Sequence, residues 1–215
     1  MTARMTARMT ARRAATIVLC TTLAALAAGC ASTPPSRFYA LSSTAGPAGA
    51  APAAGAPAAA ASGIAVEVGP VLVPALVDRP QIVVSAGANE VRLEEFSRWA
   101  APLQDMLSRV IADNLLALLG TARVSAFPQS QTLGAEADYR VAIEVQRFES
   151  VPGTSATLDA AWTVRRVKDG REQRGRSSVR EPVQSADYEA LAAAHSRVAA
   201  RLSRDIAEAI RALGK

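Results

Sequence analysis

The sequence predicts an α/β fold, a two-layer sandwich in which two amphipathic helices pack on a mixed β-sheet. Two long segments carry apolar residues at helical spacing, and several shorter segments alternate apolar with polar residues, as half-buried strands do. The order along the chain is strands, helix, strands, helix, and the apolar stripe of each helix requires a sheet or another helix to cover it. We expect one domain over residues 64–215, which are enough to bury a single core.

Residues 1–29 have the composition of a secretory signal peptide. Four arginines and no acidic residue precede an apolar run over residues 14–28, and this run is shorter than the roughly 20 residues that cross a bilayer. The run ends in Leu-Ala-Ala-Gly followed by Cys30, a pattern that resembles a bacterial lipobox. We therefore expect cleavage before Cys30 and acylation of this cysteine, for example with palmitate. An ordinary signal peptide with an incidental Cys30 is the alternative.

Charge and residue counts argue against several classes of function. The chain has 24 Lys and Arg against 19 Asp and Glu, and removal of the four signal-peptide arginines leaves 20 against 19. This near-neutral balance lacks the basic excess of a nucleic-acid-binding protein, so we expect no nucleic-acid partner. Cys20 is lost with the signal peptide, and His195 is the only histidine. Together with the lack of a Gly-x-Ser-x-Gly motif or a glycine-rich phosphate loop, these counts predict no catalytic site, no metal and no cofactor.

Residues 30–63 are interpreted as a lipidated N-terminus followed by a linker. Residues 42–62 are almost entirely Ala, Pro, Gly and Ser, so they cannot offset their ordering entropy by burial. A flexible linker of this length, roughly 25 Å root-mean-square, would let an anchored domain reach some tens of ångströms from the membrane. Residues 38–41, Phe-Tyr-Ala-Leu, are either a first strand docked on the domain or a sticky tether, and the aromatic side chains favour docking.

Four elements are predicted in the first half of the domain. Alternating residues predict strands, Gly and Pro predict the breaks between them, and an apolar stripe at helical spacing predicts a helix. In chain order they are a strand over 64–68 that closes at Gly69-Pro70, an edge or irregular stretch over 71–77, a hairpin over 81–94, and a helix over 102–119 with Pro102 in its first turn and Gly120 as its stop.

The second half repeats this logic with longer strands. Trp162 and His195 both fall on apolar faces, so we expect them in the core rather than at a binding site. In chain order the predicted elements are a short strand over 123–127, a polar loop over 128–137, strands over 139–149, 158–164 and 172–179, the last two joined by a hairpin turn, and a helix over 188–213 that Asp187 caps.

Several short motifs, in this order and spacing, resemble the ABC-type transport auxiliary lipoproteins of the PqiC/YmbA family. The resemblance covers the mature chain, and the order of its motifs is more specific than any one of them. The motifs are the lipobox followed by Ser-Arg-Phe-Tyr-x-Leu at 36–41, Val-Gly-Pro-Val at 68–71, Val-Asp-Arg-Pro-Gln-Ile-Val at 77–83, Phe-x-Arg-Trp-Ala-x-Pro-Leu at 96–103, Ala-Asp-Tyr-Arg-Val at 137–141, Arg-Phe-Glu at 147–149, and Trp162.

This resemblance implies an outer-membrane lipoprotein, lipid-anchored and facing the periplasm. Its implied partners are an MCE-domain protein and the inner-membrane permease of a lipid transport complex. The family also implies a ring-shaped homo-oligomer that docks or caps the periplasmic assembly and supports envelope integrity.

Two stretches beside proline breaks supply the candidate partner interface, namely Asp78, Arg79 and Gln81 in one and Arg98 and Trp99 in the other. Loops at such breaks present charged or aromatic side chains. In the competing interpretation, Asp78 and Arg79 pair locally and Trp99 packs under the first helix. For the whole protein, the alternative functions are an outer-membrane regulator of a cell-wall synthase, a lipid carrier with its own cavity and, last, an envelope hydrolase.

Overall fold

Ten elements are present in the residues that the computed structural model describes, which are 34–45, 63–127 and 136–215. The predicted signal peptide, Cys30 and most of the predicted linker lie outside these residues. The strands are β1 (Arg37–Tyr39), β2 (Val66–Leu72), β3 (Gln81–Ser85), β4 (Val91–Trp99), β5 (Val124–Ala126), β6 (Tyr139–Val151), β7 (Ser155–Arg166) and β8 (Glu172–Pro182), and the helices are α1 (Leu103–Leu119) and α2 (Tyr188–Gly214).

The strands form two mixed sheets, which together with the helices confirm the α/β sandwich. One sheet has three strands in the order β1-β4-β3, and the other has five in the order β5-β2-β6-β7-β8. Strand β1 is parallel to β4, and β2 is parallel to both β5 and β6, while the remaining pairs are antiparallel. Alternation along a strand shows which face is buried but not which strand lies beside it, so the division into two sheets was not predicted.

Both helices begin and end close to where the sequence predicts. Helix α1 starts after Pro102 and ends at Gly120, whose φ of 64° gives the left-handed cap that glycine adopts readily. Helix α2 starts after Asp187, whose carboxylate accepts a hydrogen bond from the Ala190 N–H at 2.7 Å. Helix α1 packs against β2 and β5, α2 packs against β7 and β8, and the two helices contact each other.

Strand β2 continues past its predicted end at Gly69-Pro70. Its pairing with β6 shifts register between Val68 and Val71, so a bulge accommodates both residues inside the strand. Gly69 has a φ of 124°, and a Cβ atom there would lie 2.8 Å from the Phe127 Cβ. Glycine is therefore required at this position, and it marks a bulge rather than a strand end.

The predicted docking of residues 38–41 is confirmed, because β1 pairs with the end of β4. The ring of Tyr39 lies 6.0 Å from that of Tyr188 on α2. Residues 42–45, here called the strap, then cross both helices. Asn114 on α1 accepts three of the strap's hydrogen bonds, and Ser196 on α2 accepts another from the Ser42 N–H at 3.0 Å.

This docking changes the role that the sequence suggested for the alanine-rich linker. Residues 36–215 form one compact unit, and β1 lies upstream of the linker within it. Residues 46–62 therefore connect two parts of the same folded unit.

Candidate functional site

The loop before β3 holds the first group of predicted interface residues in a tight turn. The Pro74 carbonyl accepts hydrogen bonds from the Val77 N–H at 3.0 Å and the Asp78 N–H at 3.1 Å, and the Arg79 N–H donates to the Val77 carbonyl at 2.9 Å. The turn leaves Leu76 52% exposed and Asp78 exposed as well. This loop therefore presents one apolar and one charged side chain to solvent before β3.

The structure brings this loop together with the second predicted stretch on β4. The Trp99 N–H donates to the Pro80 carbonyl at 2.7 Å, and Gln81 on β3 pairs with Arg98 on β4. On the other side of β4, Phe38 on β1 pairs with the same Arg98. Phe38, Arg98 and Gln81 thus stand in one row across the three strands.

Alternation along β4 decides which of these side chains is presented outward. Ser97 and Trp99 are buried, whereas Phe96 is 42% exposed and the Arg98 side chain is 37% exposed. Phe96 and Arg98 are two residues apart, so they lie on the same outer face. We call the surface formed by Asp78, Arg79, Gln81, Phe96 and Arg98 the docking face.

Phe96 is the member of this face that sequence reasoning left out. It lies in the motif that contains Arg98 and Trp99, between the predicted hairpin over 81–94 and the predicted helix over 102–119. Its position became clear only because β4 extends to Trp99. The alternation of Phe96 and Arg98 with Ser97 and Trp99 was the signal that could have found it.

Charges on the docking face are weakly paired within the described part of the chain. Arg98 donates from Nε to the Glu95 carbonyl at 2.9 Å, and its guanidinium is 3.9 Å from the Glu95 carboxylate. Asp78 and Arg79 form no ion pair with each other or with another described residue, and the buried Nε of Arg79 has no partner there. An exposed pair at the distance of Arg98 and Glu95 contributes little to stability, so this ion pair holds the Arg98 side chain only weakly.

Trp99 lies beneath this surface rather than on it. Its side chain is 4% exposed, and its ring meets those of Phe148 and His195 edge-on, with 6.1 Å between ring centroids in each case. Together with the Pro80 hydrogen bond, this packing holds the backbone that carries Arg98. In this structure Trp99 is placed to support the docking face from the core.

The expected burial of His195 is confirmed. The imidazole is fully buried, stacks on Phe148 with centroids 4.0 Å apart, and lies 2.8 Å from the Ser150 Oγ through Nε2. Burial lowers the pKa of His195 to about 3, so the ring is neutral at physiological pH. Its Nδ1 has no partner among the described residues, so the serine and histidine here lack the carboxylate of a hydrolase triad.

A cleft of about 450 Å³ opens beside the loop that carries Asp78. Leu76, Val83 and Val91 line it from the loop and the hairpin, and Arg147 and Glu149 line it from β6. Apolar and charged side chains thus share the lining of this cleft, and none of the five docking-face residues belongs to it. Within residues 34–45, 63–127 and 136–215, no three His, Cys, Asp or Glu side chains are grouped to hold a metal ion.

The family model for ABC-type transport auxiliary lipoprotein components matches residues 39–207. No curated protein matches the chain. Across the described residues, no helix is both long and apolar enough to cross a membrane.

The solved structures that share the fold include the following two. A Xanthomonas campestris protein of the DUF330 family is 22% identical, with a TM-score of 0.61 over 80% of this chain and 93% of that one. An uncharacterized protein is 16% identical, with a TM-score of 0.65 over 82% of this chain and 99% of that one. At these identities the likeness shows the fold alone.

Proposed function

Since the chain belongs to the family of ABC-type transport auxiliary lipoprotein components, we propose that it is an outer-membrane component of an MCE-type intermembrane lipid transport system. In this role it docks onto, or caps, the periplasmic end of an assembly that contains an MCE-domain protein and an inner-membrane permease. Acylated Cys30 anchors it, and the folded unit faces the periplasm. It supports envelope integrity without a catalytic site or a cofactor.

The anchor is supported by the sequence around Cys30 and by the family match. A single acyl chain binds membranes only marginally, whereas two or more give stable anchoring, and a processed lipobox cysteine carries three. Such an anchor keeps the folded unit at the membrane while its surface remains available to a partner.

The docking face is the observation that carries the proposed partnership. Two stretches far apart in sequence, the loop with Asp78 and Arg79 and the end of β4 with Arg98, are joined by the pairing of Gln81 with Arg98 and by the Trp99–Pro80 hydrogen bond. Arginine and aromatic residues are enriched where protein interfaces gain most of their binding energy. The exposed Phe96 and Arg98 give this face that composition.

A pull-down with a charge reversal tests the partnership. The full lipoprotein is purified from detergent-solubilised envelopes, in parallel with Arg98→Glu and Cys30→Ala forms, and bound proteins are identified by mass spectrometry. We expect to recover an MCE-domain protein and its permease with the unaltered chain. With Arg98→Glu we expect roughly tenfold lower recovery, because a carboxylate would then face the acidic group of the partner that Arg98 binds.

Arg174→Glu is the matched control. Arg174 is also an exposed arginine with a nearby carboxylate, Glu172, but it lies on β8 in the other sheet. Full recovery with both reversals would remove Arg98 from the interface while leaving the transport role intact. Recovery of a cell-wall synthase without an MCE protein would favour the alternative function.

The proposal includes a ring-shaped homo-oligomer, which the family resemblance implies. Light scattering on the detergent-solubilised full lipoprotein would give the mass of the assembly. A mass equal to one chain plus detergent at all concentrations would argue against the ring.

A further inference from the structure

The distance between the anchor and the folded unit is set by a short segment. Seven residue steps separate Cys30 from Arg37, the first residue of β1, and an extended chain covers at most about 25 Å in that number. Strand β1 is held by its pairing with β4 and by the strap, whose hydrogen bonds reach both helices. With the anchor proposed at Cys30, the edge of the folded unit that carries β1 can lie no farther than this length from the bilayer.

A groove of about 780 Å³ lies at this edge, between β1 and α2. Phe38 and Tyr39 form one wall, and Phe38 is 65% exposed, the largest exposed fraction among the large apolar side chains of the described residues. Alanines of α2, including Ala192 and Ala200, line the opposite wall. An exposed Phe side chain is suited to the boundary between lipid headgroups and acyl chains, where interfacial proteins bury Trp, Phe and Leu.

Three arginines of α2 line the same groove. Arg197, Arg201 and Arg204 follow one another at spacings of four and three residues, so they lie on one face of the helix. Glu181 pairs with Arg197 at 3.4 Å and with Arg201 at 2.9 Å, whereas Arg204 has no ion pair among the described residues. Glu181 and Glu189 are the acidic residues of the lining, so the groove keeps one excess positive charge.

We propose that this groove is the membrane-facing surface of the protein and that it docks on anionic phospholipid headgroups. The short segment after Cys30 delivers the groove to the bilayer, Phe38 enters the interfacial region, and Arg204 and its neighbours bind headgroup phosphates. Guanidinium groups match phosphate geometry and lose hydration more readily than ammonium groups. The inference rests on the proposed lipid anchor at Cys30, and it adds the orientation of the folded unit on the membrane.

Tryptophan quenching in vesicles tests this orientation. The full lipidated protein with Phe38→Trp is reconstituted into vesicles of brominated phosphatidylcholine and phosphatidylglycerol, and the signal of Trp99 and Trp162 is subtracted with the unaltered chain. Val167→Trp is the control, because Val167 is 44% exposed but lies at the turn between β7 and β8. A second probe, Ala193→Trp, places the reporter on the α2 side of the groove.

We expect strong quenching of the two groove probes and little quenching of the Val167→Trp probe. Arg204→Glu should lower the ratio of docked to undocked protein on anionic vesicles by roughly 25-fold, about fivefold for each of the two units of charge changed. Arg174→Glu should leave it unchanged. If the protein floats with the vesicles but the groove and control probes are quenched equally, the proposed orientation is wrong and the anchor is retained. Protein that does not float would overturn the anchor and this inference together, while partner capture is measured separately.

Discussion

At the scale of single residues, His195 connects three parts of the fold through one buried ring. Its stacking on Phe148 and its contact with Ser150 join α2 to β6, and its edge contact with Trp99 joins both to the strand that carries Arg98. The ring remains neutral because a buried charge without a partner is costly. His195 packs against Trp99, which supports the docking face, and its protonation would place an unpartnered charge in this core.

We expect stability to fall with acidification because of His195. Its pKa is about 3 in the fold and about 6.5 in an unfolded chain, so between these values the unfolded state binds one more proton. The contribution of neutral His195 to the free energy of unfolding is fully present above pH 6.5. It decreases by up to about 1.4 kcal/mol per pH unit as the pH falls towards 3. Denaturant unfolding at several pH values measures the slope. His195→Gln should flatten it, and an unchanged slope in this variant would assign the effect to other groups.

At the scale of elements, β1 has two faces with different roles. Tyr39 is half-buried against Tyr188 and faces the core, whereas Phe38 is exposed beside the groove that Arg197, Arg201 and Arg204 line. The strand is only three residues long, so the strap and the Tyr39 contact supply much of what keeps it in place.

We expect neighbouring substitutions in β1 to have unequal effects on stability. Tyr39→Ala removes a half-buried ring and an aromatic contact, and it should cost about 1–3 kcal/mol. Phe38→Ala removes an exposed ring and should change stability by about 0.5 kcal/mol or less. Chemical denaturation of the two variants and the unaltered chain measures both values. Equal losses would mean that β1 does not dock through its Tyr39 face.

At the scale of the whole molecule, elements of the folded unit stand on both sides of the alanine-rich linker along the chain. Strand β1 and the strap precede it, and β2 follows it. The anchor that we propose at Cys30 is thus attached to the fold through the non-covalent contacts of β1 as well as through the chain.

We expect cleavage of the linker to leave the folded unit on the membrane. A protease site inserted within residues 46–62 of the full lipoprotein is cut after reconstitution into vesicles, and sedimentation shows where the larger fragment goes. Retention follows if the paired β1 and the strap hold the two fragments together. Tyr39→Ala should increase release, and complete release from the otherwise unaltered chain would show that β1 is too weakly held to orient the unit.

Periodicity and end signals predicted most of the individual elements. The α2 cap at Asp187, the α1 stop at Gly120 and the burial of Trp162 and His195 follow from local chemistry, and the structure confirms them. The end of β2 was misplaced because a Gly-Pro pair marks either a strand end or a bulge, and only pairing with β6 distinguishes them.

By itself, the sequence determined the α/β class, the helices and their caps, and the motifs that indicate the family, because these depend on residues close together along the chain. The tertiary structure decided which strands share a sheet, that β1 is built into the fold ahead of the linker, and that Arg98 meets the Asp78 loop while Trp99 lies beneath them. Those relations depend on pairing between distant segments. Local pattern carries no information on that pairing, since many partners satisfy the same alternation of buried and exposed residues.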